Sequence, residues 1–380
     1  MNNPGVNIIS FNIPYPANYG GVIDVFYKIK AFNDLGVNVI LHCFEYGRDR
    51  SEVLESMCDK VYYYKRRGAL SNLSHIPYIV NSRKSSELLK NLLANDLPII
   101  MEGMHSTFLI GNKFLEERCI IYRESNIEHE YYSYLSKAEK SLFKKLYFIM
   151  ESFRLKRYEK VMNLASQIWA VSKEDKKALE DRLGHKKVYF LPSFKGFDDV
   201  KGLEGRGDYV LYHANLSVPE NDKAAHYLID NVFSKINTSA IIAGLKPNNA
   251  LKKKISNFEN ISLLSDLEED EMNRLIRDAH IHVLHTSQAS GLKLKLLNVL
   301  FNGRHCLAND LMLHGSGLDH LCEIANTPTD YIKMIENLMK KDFGSDDVAK
   351  REKILVDYTD KQNANRAKSF LKTDFVGFGI

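Results

Sequence analysis

The segment around Gly291 contains residue types that bind phosphate. Ser290, Gly291 and Leu292 follow an apolar run (HVLHTS), and a helix-periodic pattern begins at Lys293. A glycine at a helix start leaves backbone N–H groups without partners, and these donors suit an anionic oxygen. Lys293 and Lys295 add positive charge where the helix dipole disfavours it. The segment therefore predicts an anion site, and a solvated charged turn is the alternative.

A pair of glycines near the N-terminus is a second candidate for ligand contact. Gly20 and Gly21 end a loop rich in proline and asparagine (IPYPANYGG) that joins a predicted strand to a predicted helix. Glycines let the backbone approach a ligand closely. The spacing is not G-x-G-x-x-G, so a dinucleotide-binding fingerprint is absent. Taken alone, the pair favours an ordinary tight turn.

Two acid–histidine pairs could bind hydroxyl groups or transfer protons. Glu102 and His105 follow the predicted strand Pro98–Met101, and Glu128 and His129 follow the predicted strand at 119–123. A neighbouring carboxylate raises the basicity of an imidazole, so Glu102 and His105 are predicted to be catalytic if both face one cleft. A structural histidine and a helix-capping carboxylate are the alternatives.

Three histidines and five cysteines do not indicate a metal site. His280, His282 and His285 flank a strand, in which alternate side chains point to opposite faces. The cysteines include no C-x-x-C pair, so we expect reduced, mostly buried thiols rather than a disulfide framework. They are Cys43, Cys58, Cys119, Cys306 and Cys322.

The segment 137–160 is basic, aromatic and helix-periodic. It either lies on an anionic membrane surface or forms an amphipathic helix pair whose apolar stripe is core, and the second interpretation is favoured. Its positive charges include Lys140, Lys144, Lys145, Arg154, Lys156, Arg157 and Lys160.

Alternating strands and helices must position these residues. The predicted strand Val6–Phe11, the helix Val22–Leu35 and the strand Val37–Phe44 form a βαβ unit, and Gly36 is a plausible helix terminator. The same alternation continues to Leu191, which predicts an α/β fold with doubly covered parallel sheets.

A polar, glycine-rich stretch divides the chain in two. We predict an N-terminal acceptor-binding lobe at 1–192, a linker at 193–208 and a C-terminal nucleotide-sugar-binding lobe at 209–355. A C-terminal helix at 356–380 can return to the N-terminal lobe. Because ligands bind at the carboxyl ends of parallel strands, an interlobe cleft is expected to hold the site.

Length and composition agree with this organisation. A chain of 380 residues predicts about two domains, and 44% hydrophobic with 26% charged residues indicates a globular protein. The net charge of +4 is nearly balanced, which argues against nucleic-acid binding. We find no signal peptide and no run of about 18 apolar residues, so a cytoplasmic location is expected.

Five ordered motifs give the chain a family resemblance. They are Pro14-Tyr15-Pro16 with Gly20-Gly21, Asn126-Ile127-Glu128-His129 with Tyr131-Tyr132, Ala170-Val171-Ser172 with Asp175, Asn215 to Asn221, and Gly291 to Gly303. In these motifs the chain resembles the GT-B fold glycosyltransferases, specifically the retaining family 4, or group 1, enzymes that use nucleotide sugars. The resemblance implies two Rossmann-like doubly wound lobes with an interlobe cleft.

The resemblance also implies roles for individual residues, without a metal or other cofactor. The predicted catalytic residues are His105 and Glu102, and the predicted acceptor-binding residues are Asn126, Glu128 and His129. The predicted donor-binding residues are Gly20, Gly21, Asn215, Gly244, Ser290, Gly291, Leu292, Lys295 and Asn298.

Several positions depart from the family pattern. Glu124 and Ser125 stand where the family often has histidine before the Asn-Ile-Glu stretch. Asn298 and Gln288 stand where the family has acidic residues, and Asn215 stands where it usually has arginine. Positive charge for a diphosphate must then come mainly from Lys295, with Lys293 or Lys223 as additional candidates.

The resulting functional hypothesis is a glycosyltransferase that moves a sugar from a nucleotide-diphosphate donor to a saccharide or lipid-linked saccharide. Its expected setting is surface polysaccharide or glycoconjugate synthesis. Peripheral membrane contact through 137–160 is the less favoured of the two interpretations of that segment. The alternatives are a GT-B-like nucleotide-sugar epimerase and a non-catalytic two-lobed binding or scaffold protein.

Overall fold

The computed structural model describes residues 4–68, 74–139, 141–184, 187–287 and 294–375. The chain divides into two compact units. Unit 1 comprises Met1–Gly196 and Asp360–Ile380, and unit 2 comprises Phe197–Thr359.

Unit 1 is built on a parallel sheet. In its described part the sheet has seven strands in the order β3-β2-β1-β4-β5-β6-β7. The strands are β1 (Gly5–Ser10), β2 (Asn38–Glu45), β3 (Lys60–Lys65), β4 (Ile99–Glu102), β5 (Ile120–Glu124), β6 (Gln167–Ala170) and β7 (Val188–Phe190). The helices before the linker are α1 (Gly20–Asp34), α2 (Glu52–Met57), α3 (Tyr78–Asn81), α4 (Ser86–Leu92), α5 (Glu128–Ala138), α6 (Leu142–Tyr158) and α7 (Lys173–Leu183).

Both faces of this sheet are covered by apolar side chains. Ile8 and Trp169 belong to one buried cluster, while their chain neighbours Ile9 and Ile168 belong to another. Successive residues of a strand point to opposite faces, so each strand needs apolar residues throughout. The short apolar runs of the sequence therefore form central parallel strands, as predicted.

Unit 2 repeats the architecture with a smaller sheet. Its described residues form six strands in the order β10-β9-β8-β11-β12-β13. The strands are β8 (Tyr209–Asn215), β9 (Ser239–Leu245), β10 (Ile261–Ser265), β11 (Ile281–Leu284), β12 (His305–Ala308) and β13 (Glu323–Ile324). The helices are α8 (Pro219–Asn231), α9 (Asn249–Ile255), α10 (Glu269–Asp278), α11 (Leu294–Asn302), α12 (Asp310–Leu313), α13 (Pro328–Leu338) and α14 (Ser345–Leu355).

The C-terminal helix α15 (Asp360–Phe375) is part of unit 1. Ala364 and Ala367 are fully buried in the cluster that contains Trp169. The carboxylate of Asp360 accepts hydrogen bonds from the backbone N–H groups of Lys195 at 2.9 Å and Gly196 at 2.6 Å. These contacts fix the start of the helix against the end of the first segment of unit 1.

The sequence pattern also predicts helices over 82–93 and 345–371, and both are divided differently in the structure. The predicted helix Ser82–Leu93 is α4, which begins later because the Ser85 hydroxyl accepts a hydrogen bond from the N–H of Leu88 at 3.1 Å. The predicted continuous helix Ser345–Leu371 is interrupted after α14 by a 3₁₀ turn at Val356–Tyr358. Side-chain capping decides the first boundary, and the hydrogen bonds of Asp360 accompany the second.

A buried charge network joins the sheet of unit 1 to α1 and to residue 194 of the same unit. Asp24 lies close to Lys28 (Oδ2–Nζ 3.0 Å) and Arg123 (Oδ2–Nε 3.3 Å), and it accepts a hydrogen bond from the N–H of Phe194 at 2.7 Å. Although burial opposes ionisation, Arg123 and Lys28 lower the pKa of Asp24 to about 2. The network therefore holds its charge at neutral pH and ties α1, β5 and residue 194 together.

None of the helices in the described ranges has the length and apolar composition that crossing a bilayer requires.

Candidate active site

Each unit has a topological switch point, where the strand order reverses. In unit 1 it lies between β1 and β4, and in unit 2 it lies between β8 and β11. In parallel sheets the carboxyl ends of such strand pairs form the usual ligand-binding crevice. The loops that follow these four strands are therefore the candidate ligand-binding loops.

His105 lies at the switch point of unit 1, in the 3₁₀ turn Met104–Leu109 that follows β4. Gly103 has φ +68°, a conformation that favours glycine, and it turns the chain away from the strand. The imidazole packs against the ring of Phe11, with centroids 5.2 Å apart. Burial lowers the pKa of His105 well below its usual value, and the positive charges of Arg83 and Arg66 lower it further. At neutral pH the ring is uncharged and can exchange hydrogen bonds with a hydroxyl group.

The acidic neighbour of His105 is Glu128, at the start of α5. Its Oε1 atom is 3.9 Å from Nδ1 of His105, and the residue is buried. Burial raises the pKa of the Glu128 carboxyl to about 7, although Arg83 opposes the shift. Near neutral pH this carboxyl can therefore either donate or accept a proton.

The structure does not bring Glu102 to His105 as the sequence suggested. Glu102 is buried at the end of β4, where its Oε1 lies 2.6 Å from Nζ of Lys28. Its side chain belongs to the buried network around Asp24. The proposed effect of Glu102 on the imidazole is therefore corrected: Glu128 is the carboxyl that faces His105.

The predicted acceptor-binding residues are held by different partners. The N–H of Asn126 donates to the buried carboxyl of Glu124 at 3.2 Å. His129 is bonded through Nδ1 to Oε1 of Glu159 at 2.7 Å, and its backbone oxygen accepts from the hydroxyl of Ser152 in α6 at 2.7 Å. Of the three predicted residues, Glu128 is the one that the structure places beside His105.

Gly20 and Gly21 form the first turn of α1. A β-carbon on Gly21 would lie 2.6 Å from the ring of Phe11, so the loop after β1 requires glycine here. In the described part of the chain, Tyr19 at the N-cap makes no side-chain capping bond to α1. The helix thus starts beside Phe11, and Phe11 in turn contacts His105.

A polar group occupies the switch point of unit 2. The Nζ atom of Lys295 in α11 donates to Oδ1 of Asn221 at 3.3 Å and lies 5.9 Å from the ring centre of Tyr212. The side-chain amide of Asn221 donates to the backbone oxygen of Asn215 at 2.9 Å, and Oδ1 of Asn215 accepts from the hydroxyl of Ser217 at 2.7 Å. The structure thus brings the predicted residues Asn215 and Lys295 together through Asn221.

The other predicted donor-binding residues have structural contacts or lie outside the described residues. A β-carbon on Gly244 would lie 1.7 Å from the backbone oxygen of Ala214, so the close approach of β8 and β9 requires glycine there. Oδ1 of Asn298 accepts from the side-chain amide of Asn302 at 2.8 Å. Ser290, Gly291, Leu292, Lys293 and Gln288 fall outside the described residues.

His280 and His285 of unit 2 have separate environments. Nε2 of His280 lies 2.8 Å from the backbone oxygen of Leu338, and Nδ1 of His285 lies 3.1 Å from the hydroxyl of Tyr331. His285 is also stacked on Tyr227, with ring centroids 4.4 Å apart. Within the described ranges, no group of three or more histidine, cysteine or acidic residues could hold a metal ion.

Sequence reasoning missed several site residues. Arg83 is buried beside the Phe11–His105 contact, yet it lies in a plain polar stretch (NSRKSS) that carries no motif. Glu220 accepts a hydrogen bond from the hydroxyl of Thr286, which joins α8 to the loop after β11. Glu220 and Asn221 lie in the NLSVPEN stretch, one of the five family-like motifs, but only the structure shows their partners.

The two units define an α/β protein with the GT-B fold. The structure is similar to that of HepE from Anabaena in complex with UDP and glucose, with a TM-score of 0.66 and 13% identity over 98% of this chain and 100% of that chain. It is also similar to a variant of TarM from S. aureus in complex with Fondaparinux, alpha-GlcNAc-glycerol and UDP, with a TM-score of 0.65 and 11% identity over 98% of this chain and 100% of that chain. The predicted fold is therefore confirmed.

Sequence comparison gives a family match for part of the chain. Residues 207–341 match the family model described as "Glycosyl transferases group 1", which confirms the predicted resemblance to the group 1 enzymes. A relative from Klebsiella pneumoniae, described as "Uncharacterized 44.6 kDa protein in cps region", is 25% identical over 363 residues, which are 90% of this chain and 92% of the relative.

Proposed function

We propose that this protein is a glycosyltransferase that moves a sugar from a nucleotide-diphosphate donor to a saccharide or lipid-linked saccharide acceptor. The observation that carries the proposal is the group formed by Lys295, Asn221 and Asn215 at the switch point of unit 2. This group lies inside residues 207–341, the segment that matches the group 1 glycosyl transferases. UDP in the structures of HepE and TarM supports a nucleotide diphosphate as the ligand.

Unit 2 would hold the donor. The ammonium group of Lys295 at the start of α11 supplies the positive charge that a departing β-phosphate requires. Departure breaks the bond between the anomeric carbon and the phosphate oxygen, and the acceptor hydroxyl oxygen forms the new bond. The acceptor proton passes to the leaving phosphate. This step needs neither a protein nucleophile nor a metal. We propose retention of the anomeric configuration from the resemblance to the retaining group 1 enzymes alone.

Unit 1 would hold the acceptor and the sugar being transferred. The uncharged imidazole of His105 can bond to a sugar hydroxyl. Glu128, whose Oε1 lies 3.9 Å from Nδ1 of His105, offers a second group that can donate or accept a proton near neutral pH. A description of the Klebsiella relative as lying in a cps region supports a role in polysaccharide synthesis.

Consumption of nucleotide sugars, followed by mass spectrometry with and without saccharide acceptors, tests the proposal. Donor loss that depends on an acceptor supports transfer. Donor turnover without an acceptor supports an epimerase, and failure to bind any nucleotide diphosphate supports a binding or scaffold protein.

Lys295→Ala should weaken the binding of the nucleotide diphosphate by about 1–3 kcal/mol, the scale of a lost charged hydrogen bond. Isothermal titration with UDP measures the change. Lys253→Ala is the matched control, because it removes an exposed lysine from α9 of the same unit. Equal affinities for the two variants would contradict the phosphate role of Lys295.

We also propose that α6 docks on a bilayer containing anionic lipid, at the cytoplasmic face of a membrane. Its outward face has large apolar side chains: Phe143 is 89% exposed and Leu142 is 81% exposed. An apolar face this open marks an interaction surface. The exposed apolar residues of the helix are Leu142, Phe143, Leu146, Ile149, Met150 and Phe153.

The charges of α6 favour anionic lipid as the partner. The acidic residue of this helix, Glu151, is fully buried; it pairs with Arg154 at 2.7 Å and accepts from the N–H of Tyr78 at 2.8 Å. The exposed charged residues of the helix are all basic: Lys144, Lys145, Lys156 and Arg157. Apolar side chains flanked by lysine and arginine are typical of helices that lie in an anionic interface.

The same helix is bonded to the candidate acceptor site. The hydroxyl of Ser152 donates to the backbone oxygen of His129, the residue that follows Glu128. A docked α6 would therefore keep the acceptor-binding residues near the lipid surface, as a lipid-linked acceptor requires.

A further inference from the structure

Two arginines of unit 1 converge on one hydroxyl group. Nε of Arg66 donates to Oγ of Ser82 at 3.2 Å, and Nη1 of Arg83 donates to the same atom at 3.4 Å. Ser82 is fully buried, and Arg83 is only 4% exposed. Two guanidinium groups held this close in a desolvated place repel each other.

In the described part of the chain, no carboxylate forms a hydrogen bond or an ion pair with either guanidinium group. Among the residues that the structure describes, the hydrogen-bond acceptors of both groups are neutral: the hydroxyl of Ser82 and the backbone oxygens of Phe11 and Ile79. Arg66 is instead held between aromatic rings, 4.0 Å from the ring centre of Tyr46 and 5.0 Å from that of Tyr78. Buried charges are normally paired, so this arrangement needs an anion from outside the chain.

The arginine pair borders the candidate catalytic residue. Nε of Arg83 donates to the backbone oxygen of Phe11 at 2.9 Å, and the ring of Phe11 contacts the ring of His105. Glu128, whose Oε1 lies 3.9 Å from Nδ1 of His105, forms no ion pair with either arginine in the described part of the chain, although the charge of Arg83 lowers its pKa. An anion held by the pair would thus lie beside the reacting groups of unit 1.

We propose that Arg66 and Arg83 form an anion subsite beside His105 that binds a phosphate or carboxylate group of a substrate. Guanidinium groups suit this task because their N–H donors match the paired oxygens of both anions. Arg83 supplies a fixed, buried positive charge. Arg66 is half-buried, so its guanidinium group is the one that a ligand can reach from solvent. The inference rests on the proposed glycosyl transfer, in which the anion is either the donor diphosphate or an acidic group of the acceptor.

Substitution of Arg66 tests the subsite, because this side chain makes fewer structural contacts than Arg83. Arg66→Gln removes the charge, Arg66→Lys keeps it, and Arg67→Gln removes an equal charge from an exposed neighbouring residue. Each full-length variant is titrated calorimetrically with inorganic pyrophosphate, UDP and glucuronate, after circular dichroism confirms its fold.

We expect Arg66→Gln to weaken the binding of at least one probe tenfold or more, with partial recovery in Arg66→Lys and no change in Arg67→Gln. Loss of pyrophosphate and UDP binding assigns the subsite to the donor, and selective loss of glucuronate binding assigns it to an acidic acceptor. Equal effects of Arg66→Gln and Arg67→Gln on every probe, or no binding of any probe by the native protein, overturn the subsite.

These outcomes are separate from those that test glycosyl transfer. If donor consumption depends on an acceptor but Arg66→Gln binds anions as the native protein does, glycosyl transfer is supported and the anion subsite is contradicted. Arg66-dependent binding of pyrophosphate or glucuronate without any donor consumption leaves the subsite and removes the transferase.

Discussion

His105 and Glu128 show how burial sets the chemistry of single residues. The imidazole is surrounded by Phe11 and the positive charges of Arg66 and Arg83, so its uncharged form is favoured. The carboxyl is desolvated at the start of α5, which favours its protonated form. At pH 6 an exposed histidine and an exposed glutamate are mostly charged, but His105 and Glu128 are mostly uncharged. Both can therefore exchange hydrogen bonds with a sugar hydroxyl.

Glu128→Gln should alter the pH dependence of stability. The folded pKa of about 7 lies above the usual 4.5, so the native state binds more protons than the unfolded state between these values. The contribution of Glu128 to stability is thus present at low pH and is lost as the pH rises towards 7. The free energy of unfolding is measured in urea from pH 4 to pH 8 for both proteins. Relative to the native protein, the variant should become more stable as the pH rises, by up to about 3 kcal/mol at pH 8.

Glu130→Gln provides the control for that experiment, because Glu130 is exposed on the same helix. We expect its pH dependence to follow that of the native protein. A difference between Glu128→Gln and the native protein that stays constant across the pH range would show that Glu128 ionises normally in the folded state.

At the scale of the element, capping residues set the helix bounds, and packing set which helix face is buried. The sequence predicts a helix over 173–183 with Ser172 as its N-cap, and α7 has these bounds because the Ser172 hydroxyl accepts from the N–H of Asp175 at 2.9 Å. Helix α6 was also expected to be amphipathic, but the favoured prediction placed its apolar stripe in the core. The structure shows the opposite for Leu142 and Phe143, because the side that packs on unit 1 is the one with Glu151 and Leu155.

Leu142→Glu with Phe143→Glu should reduce membrane binding by α6 at least tenfold. Burying each of these side chains in lipid is worth about 1.5–3 kcal/mol, and the new carboxylates repel anionic lipid. Sedimentation with vesicles of phosphatidylcholine and phosphatidylglycerol measures the change. The fold should be unaffected, because both side chains are exposed.

Val356→Glu is the matched control, since it places a carboxylate on an exposed apolar residue of unit 2. Equal loss in this control, or equal binding of the native protein to vesicles of phosphatidylcholine alone, would argue against an anionic-lipid surface. A native dimer that the α6 variant dissociates, without vesicle binding, would identify the face as a self-association surface instead.

At the scale of the whole molecule, the last helix of the chain belongs to the first unit. Helix α15 follows unit 2 in sequence but completes the core of unit 1, where Phe370 lies 4.4 Å from Tyr189 and 6.1 Å from Trp169 between ring centroids. The side-chain amide of Gln167 donates to the backbone oxygen of Phe370 at 2.8 Å. The stability of unit 1 therefore depends on residues at the far end of the chain.

Phe370→Ala should destabilise unit 1 by about 2–4 kcal/mol, since it removes a large aromatic side chain from a partly buried position. Trp169 is the single tryptophan of the chain and is fully buried in unit 1, so its fluorescence during urea unfolding reports on this unit. Ser369→Ala, an exposed change one residue away, should leave the transition in place. Similar midpoints for both variants would mean that α15 contributes little to the core.

The sequence determined the alternation of elements, the doubly covered sheets and the positions of the loops after β1, β4, β8 and β11. These follow from local patterns of period 2 and 3.6 and from turn residues such as Gly36, whose φ of +67° ends α1 as expected. It also marked His105, Glu128, Asn215 and Lys295 as candidate site residues, because each lies next to such a loop or in a motif.

Only the tertiary structure decided which side chains meet. Glu102 and His105 are three residues apart, yet Glu102 pairs with Lys28 and His105 lies beside Glu128. Arg66 and Arg83 share the Ser82 hydroxyl although no motif marks them. Distances between residues far apart in sequence depend on packing, and burial, which shifts their pKa values, arises only when the units have folded.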